Sequence, residues 1–269
     1  MATSDSAAHR QGTLLPGELV VLGSGTALPT AQRGSPGYLL RFADGRGVLL
    51  DAGPGSVRAA ARHGVSVERL AGALVTHFHP DHTLDLFALI FGHRSPFVAG
   101  TRLHLIGPSG LADLHERMRG VYGGWMDLPD ERLRVHEIGP GSFDLNLDGL
   151  RLRGDAVSMP HLAHSLGYRL EGAHRQWLAY SGDTGIGPGP VKLGRAVDHY
   201  VLEAAFPDGE GDGHLTPRLA GSVAREARCG WLYVTHLYPA TERLDIVAEV
   251  RKEFSGPLTI ATDGLVIEF

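Results

Sequence analysis

The sequence predicts an α/β protein. Strand-like and helix-like segments alternate from end to end of the 269 residues, no linker interrupts them, and Gly/Pro turns set their limits. Glu18 to Leu22, Tyr38 to Phe42 and Gly47 to Asp51 read as short strands between such turns. Val57 to His63 reads as a helix closed by Gly64, and the apolar run Ala73 to Val75 as a strand. Leu84 to Phe91 is predicted as a helix leaving a His-rich loop, and Leu103 to Ile106 as a strand. A helix then runs from Ser109, its expected cap, to Met118. Gly120 to Asp130 reads as a loop centred on Gly123-Gly124-Trp125. Strands are expected over Arg132 to Glu137, Leu150 to Val157, Gly167 to Leu170 and Gln176 to Tyr180. The last part repeats a strand–helix rhythm: His199 to Glu203, Pro217 to Arg228, Trp231 to Thr235, Glu242 to Phe254 and Leu258 to Ala261.

With 43% apolar and 20% charged residues the chain has the makeup of an ordinary globular protein, and its length is near the upper limit for one core. A single domain over 13–269 is expected behind a polar, disordered tail at 1–12. The tail lacks the apolar core of a signal peptide and no stretch reaches membrane-spanning length, so no membrane partner is expected. The single Cys229 excludes an internal disulfide and a cysteine-based metal cage, which makes a reducing compartment, the cytoplasm, the default. A net charge of −5 argues against a nucleic-acid surface.

The chemistry concentrates in Thr76-His77-Phe78-His79-Pro80-Asp81-His82, which places three imidazoles and a carboxylate within six positions directly after an apolar run. Neutral imidazole and carboxylate are the usual ligands for zinc and similar borderline ions. A chain leaving a strand in extended form points His77 and His79 the same way. A turn at Pro80 then lets Asp81 and His82 face a second point. One ion would not need all four side chains, whereas two neighbouring ions would.

This HxHxDH spacing resembles that of metallo-β-lactamase-fold hydrolases. Three further segments strengthen the resemblance: His161-Leu162-Ala163-His164-Ser165-Leu166-Gly167-Tyr168, Ser181-Gly182-Asp183-Thr184 and Val234-Thr235-His236. Aligned with the family, they supply a lone metal-binding His, an Asp shared by two metals and a closing His. His161 is the aligned ligand of the first segment, with His164 as its rival. The resemblance implies a four-layer αββα sandwich with a metal site at its edge. It also implies that His77, His79 and His161 hold one divalent ion and Asp81, His82 and His236 a second, with Asp183 between them. Zinc is the default for such a set, although Mn, Fe or Co satisfies the same ligands. The nucleophile implied is a hydroxide shared by the two ions, with Asp81 placed to orient it or take its proton.

Leu202-Glu203-Ala204-Ala205-Phe206 and Gly213-His214-Leu215-Thr216 are similar to the Glu and His segments of the ribonuclease Z-like branch, which includes tRNA 3′-processing endonucleases and cyclic-nucleotide phosphodiesterases. In that branch the His acts on a phosphate oxygen or the leaving group and the Glu orients it, which assigns His214 and Glu203 to catalysis beside Asp81. Otherwise His214 is only a neighbour of the cap Thr216 on the Pro217 helix. Leu22-Gly23-Ser24-Gly25-Thr26-Ala27-Leu28-Pro29-Thr30 also resembles the branch, and a Gly-rich turn between strands is its simpler reading. The long arm usual in tRNA-binding members is missing between His161 and Asp183, where Arg169 and Arg175 form no basic cluster. A small, cyclic phosphodiester is therefore the expected substrate. The alternatives are a lactone, thioester or β-lactam, or tRNA cleavage without the usual arm. Relatives in the branch imply a homodimer. In the 84–160 segment, Phe91, His93, Arg94, Phe97, Tyr122, Trp125 and Met126 are candidates for substrate access, with packing the simpler role.

Overall fold

Runs such as Leu19-Val20-Val21-Leu22 and Val48-Leu49-Leu50 have no polar face, so their strands need cover on both sides. The computed structural model describes residues 13–98, 100–207, 209 and 213–269, and it supplies that cover. The tail expected over 1–12 lies outside the described residues.

One seven-stranded sheet holds β1 (Pro16–Gly23), β2 (Gly37–Phe42), β3 (Gly47–Ala52), β4 (Leu70–Leu74), β5 (Leu103–Gly107) and β6 (Leu133–Glu137). The other holds β7 (Gly141–Leu147), β8 (Leu150–Ser158), β9 (Leu166–Glu171), β10 (Trp177–Tyr180), β11 (His199–Glu203), β12 (Trp231–Thr235) and β13 (Leu258–Ile260). The last strand, β14 (Val266–Glu268), returns to pair with β1. Both sheets follow one plan. β1, β2 and β3 are antiparallel and β3 to β6 parallel, just as β7 to β10 are antiparallel and β10 to β13 parallel.

The period-2 alternation of the strands divides each apolar run between two cores. Leu19, Val21, Leu40 and Leu50 face Leu152, Tyr168, Leu178 and Tyr180 between the sheets. Val20, Leu22, Leu39 and Leu49 turn outward with Ala60, Leu86, Leu89 and Leu111, which lie on or beside α1 (Ser56–Arg62), α3 (Asp85–His93) and α4 (Leu111–Tyr122). A one-turn helix, α2 (Pro80–Thr83), precedes α3. Tyr200, Leu202, Leu232 and Val234 pack outward with residues of α5 (Pro188–Leu193), α6 (Pro217–Ala227) and α7 (Ile246–Arg251). The result is the αββα sandwich. No described helix is long and apolar enough to cross a membrane.

Several expectations are corrected. Ser109 does not cap α4: Gly110, at φ 100°, does, and Glu137 from β6 accepts hydrogen bonds from the Gly110 and Ala112 amides. The helix continues to Tyr122, so the expected loop begins only with a 3₁₀ turn at Gly123–Met126. The segment from Glu242 to Phe254 is broken, with a 3₁₀ turn over Thr241–Arg243 and α7 starting behind Asp245, whose carboxylate accepts from the Ala248 amide. β7, β14 and α5 are additional elements.

The glycine after β3 is enforced by the metal loop. A Cβ on Gly53 would lie 2.0 Å from the Asp81 carbonyl oxygen and 2.5 Å from that of Pro36. Gly53→Ala is expected to cost about 1–3 kcal/mol by overpacking. Gly120 lies inside α4 with open space around it, so Gly120→Ala should stabilise by about 0.5–1 kcal/mol. Thermal melting of the two variants should therefore move in opposite directions.

Candidate metal centre

The ligand-type side chains gather just beyond the carboxyl ends of strands from both sheets. The chain leaves β4 extended through His79, and the His77 and His79 rings come within 4.7 Å of each other. Pro80 then opens α2, where a missing N–H costs nothing, and the helical turn carries Asp81 and His82 to a second point. His161 follows β8, Asp183 follows β10 and His236 follows β12.

Asp183 divides the cluster. Its Oδ2 lies 3.5 Å from His77 Nε2, 4.0 Å from His79 Nδ1 and 3.7 Å from His161 Nε2. Its Oδ1 lies 3.1 Å from His82 Nε2 and 3.2 Å from His236 Nε2. Asp81 Oδ2 is 3.8 Å from each of those last two nitrogens. Three overlapping donor groups result among the described residues, one of His77, His79, His161 and Asp183, one of Asp81, His82 and His236, and one in which Asp183 and His236 meet His214. His77 Nε2, His82 Nε2, His236 Nε2 and Asp183 Oδ1 are buried without a hydrogen-bond partner of acceptable geometry. Such orphaned atoms are costly unless something else satisfies them, and this donor chemistry fits two divalent cations. His164 is exposed at φ 72° in the turn after His161 and lies outside the donor groups, whereas His161 lies within one.

The carboxylates set the charge of the cluster. Burial alone would lower the His82 pKa, but Asp183 and Asp51 outweigh it and hold the imidazole well above its usual range. His77 is pushed well below that range by burial, aided by repulsion from His82. Burial also lowers His161. It would raise Asp183, yet the attraction of His236 and His82 keeps that carboxyl well below the ordinary carboxylate range. Asp81 is lowered in the same way, through His236 and His82 against burial.

Asp51 is a residue that sequence reasoning missed. Fully buried at the end of β3, it accepts hydrogen bonds from the Thr76 amide (2.7 Å) and from the Tyr180 hydroxyl (2.8 Å), and lies 2.8 Å from His82 Nδ1. Tyr168 donates to the Val75 carbonyl, and the Tyr38 hydroxyl pairs with Thr235 Oγ1. These tyrosines brace the strand ends that precede His77 and His236. The only sequence signal for Asp51 is a carboxylate closing an apolar strand before Gly53.

Glu203 and His214 adjoin the cluster as one unit. Glu203 is 1% exposed and lies 2.8 Å from His214 Nδ1, while also accepting from the Thr184, Ala205 and Leu215 amides. His214 Nδ1 is 4.0 Å from Asp183 Oδ2, and its ring stacks on His236 at 5.7 Å. Burial would lower His214, but the Glu203 bond and charge raise it above the ordinary imidazole value. Thr216 is the cap of α6, as the simpler reading of this segment has it.

The remaining candidates lie outside the cluster. The loop after β1 reaches the last ligand, since the Leu237 amide donates to the Ser24 carbonyl. A Cβ on Gly23 would stand 1.9 Å from the Ser35 carbonyl oxygen, so that glycine serves close backbone approach. His93 is buried against the Leu89 and Leu70 carbonyls, which is a packing role. Arg94 donates to the Gly124 and Asp127 carbonyls and lies over the Trp125 ring. Phe87, Phe91, Tyr122 and Trp125 line a separate apolar cavity of about 370 Å³ with Met126, and Phe97 is fully outside.

Comparison with known proteins adds to this geometry. Residues 46–237 match a family model described as a beta-lactamase superfamily domain. A Mycobacterium tuberculosis protein described as uncharacterized is 33% identical over 251 residues, covering 92% of this chain and 90% of that protein. Ribonuclease Z of Nocardia farcinica is 30% identical over 299 aligned positions, covering 91% of this chain and 95% of its own. The metallo-beta-lactamase fold protein YhfI from Bacillus subtilis superposes with a TM-score of 0.78 at 22% identity, over 94% of this chain and 99% of that one. A diphosphatase of the PhnP family gives 0.71, also at 22%, over 94% and 98%. At these identities the two structures speak to the fold.

Asp183→Ala is expected to lose metal on dialysis, read by elemental analysis, because the two oxygens of that carboxylate lie against the imidazoles on both sides of the cluster. Asp51→Asn should weaken metal affinity about 10–100-fold by releasing His82. In the metal-free protein the proton on His82 competes with the ion. Affinity measured across pH should therefore rise as pH climbs through the elevated His82 value, with proton release on binding.

Proposed function

The chain belongs to the β-lactamase superfamily and is a metal-dependent hydrolase, and from that premise we propose that it is a phosphodiesterase for small, cyclic phosphodiesters. The observation that carries this reading is the Glu203–His214 pair set against the metal cluster, 2.8 Å within the pair and 4.0 Å to Asp183. Cleaving a phosphodiester expels an alkoxide, which needs a proton. The Glu203 carboxylate raises the His214 pKa, so the imidazole carries that proton further into the neutral range than an isolated histidine does.

In this reading His77, His79 and His161 would hold one divalent cation and Asp81, His82 and His236 the other, with Asp183 available to either. When bound, zinc or a similar ion would supply an activated water and positive charge for the developing phosphoryl oxygens. The chain's own groups do the rest. Asp81 Oδ2 stays ionised beside His82 and His236, ready to orient the water and accept its proton. His214 spends its Nδ1 on Glu203 and has Nε2 left for the leaving oxygen. Glu203 acts through that bond. It holds the ring.

Substrate size is supported by what lies between His161 and Asp183. Only β9, a tight Gly172–Gln176 turn and β10 separate them. The alignment with the Nocardia ribonuclease Z spans 299 positions against 269 residues here, so that relative carries segments this chain lacks. With a net charge of −5, the chain offers little to neutralise a polynucleotide.

The test is hydrolysis of bis(p-nitrophenyl) phosphate beside nitrocefin and an acyl-lactone, with metal content determined on the same sample. Diester cleavage that a chelator or Asp183→Ala abolishes is the expected result. Lactone or nitrocefin cleavage without diester turnover would overturn the reading. His214→Ala should retain metal and slow turnover by about 10²–10⁴. Turnover that needs protonated His214 falls as pH rises through its raised pKa, and Glu203→Gln should move that fall to lower pH.

A further inference from the structure

We propose that Phe206 and Tyr238 form a stacking platform for the heterocyclic base of a nucleotide whose phosphate occupies the metal centre, an inference that rests on the phosphodiesterase reading. Four rings close a continuous wall beside the cluster. His214 stacks on His236 at 5.7 Å, Phe206 meets His214 at 5.4 Å, Tyr238 meets Phe206 at 5.4 Å, and His236 meets Tyr238 at 6.4 Å. Two of these rings belong to the candidate site. The other two have no part in metal binding or proton transfer, and neither belongs to any of the three hydrophobic cores. Both are partly exposed.

Their backbones, by contrast, are pinned. The Phe206 amide donates to the Leu215 carbonyl and the Tyr238 amide to that of Ala205, which also accepts from Thr241 Oγ1. The Tyr238 carbonyl accepts from the Thr241 amide. Aromatic rings held at the surface on a hydrogen-bonded backbone lose little entropy when a flat ligand covers them. They stand on the side of the centre where His214 would meet the leaving oxygen, so the group they cover is the substituent on that oxygen. A planar base satisfies two π-faces in a way that a bare sugar or alkyl group does not.

Calorimetric titration of the metal-loaded protein with adenosine 5′-monophosphate and with ribose 5-phosphate tests this without turnover. The nucleotide should bind about 5- to 100-fold more tightly than its base-free counterpart. The gap should close in the double variant Phe206→Leu/Tyr238→Leu, with ribose 5-phosphate affinity and metal content retained. Equal binding of the two ligands by the unaltered protein, no binding of either, or a gap that survives the double variant would each overturn the platform. With 3′,5′-cyclic adenosine monophosphate, the same variant should raise KM more than it lowers kcat. A binding gap without diester turnover would refute the phosphodiesterase reading and leave the platform standing; turnover without the gap would do the reverse.

Discussion

The geometry of the centre depends on one buried carboxylate that touches no candidate metal position. Asp51 lies at the end of β3 with no solvent exposure, and a lone charge in that setting would be severely destabilising. It is tolerated because the Thr76 amide and hydroxyl, the Tyr180 hydroxyl and His82 Nδ1 all converge on it. Each of those bonds has a structural consequence. Thr76 fixes where the chain enters the His-rich loop. Tyr180, from the opposite sheet, fixes the spacing of the sandwich at its edge. His82 is held in the orientation that turns Nε2 toward Asp183.

Left-handed backbone occurs around the cluster, as it does at several turns elsewhere. Asp51, Gly182 and His236 all lie in the left-handed region, at φ 56°, 58° and 58°. For an aspartate and a histidine that conformation costs on the order of 1–3 kcal/mol each. At Gly182 and His236 it falls one or two residues beyond a strand, and at Asp51 one residue before the end of β3. Gly182 also permits contact that no side chain would, since a Cβ there would sit 2.7 Å from Thr76 Cβ. The two sheets share one topology, and the ligands after β4, β10 and β12 fall at the carboxyl ends of their parallel strands. An open α/β sheet leaves a crevice at that position.

The sequence made the donor cluster legible because four of its residues sit within six positions and the others follow strand-like runs. Their partition into two groups around Asp183 was also legible, although only through family resemblance. Asp51 and the three buried tyrosines were not, because their roles consist of contacts between residues distant in the chain. Tyr180 and Asp51 are 129 positions apart. Ser109 was misread for a related reason. A serine before a helical run is a good local cap, but Glu137 from β6 supplies the cap from another strand and leaves Gly110 to make the turn. β7 escaped because the edge strand alternates polar and half-buried residues, and α5 because it opens with Pro188-Gly189-Pro190.

Glu203 couples the layers of the site that the fold keeps separate elsewhere. Oε1 accepts from the amide of Thr184, next to the shared ligand Asp183, and holds His214. Oε2 accepts from Ala205, which precedes Phe206, and from Leu215, which follows His214. The proposed shared ligand, the proposed acid and the proposed platform therefore hang from one carboxylate, and none can shift without straining the others. The rings of Phe206 and Tyr238 are the exception, because among the described residues neither belongs to a hydrophobic core. Substitution at those two rings can change which leaving group is covered while the bonds that shape the metal centre stay intact. On the proposed reading, then, the buried carboxylates constrain the reaction, whereas the choice of substrate would rest on the partly exposed rings at the rim.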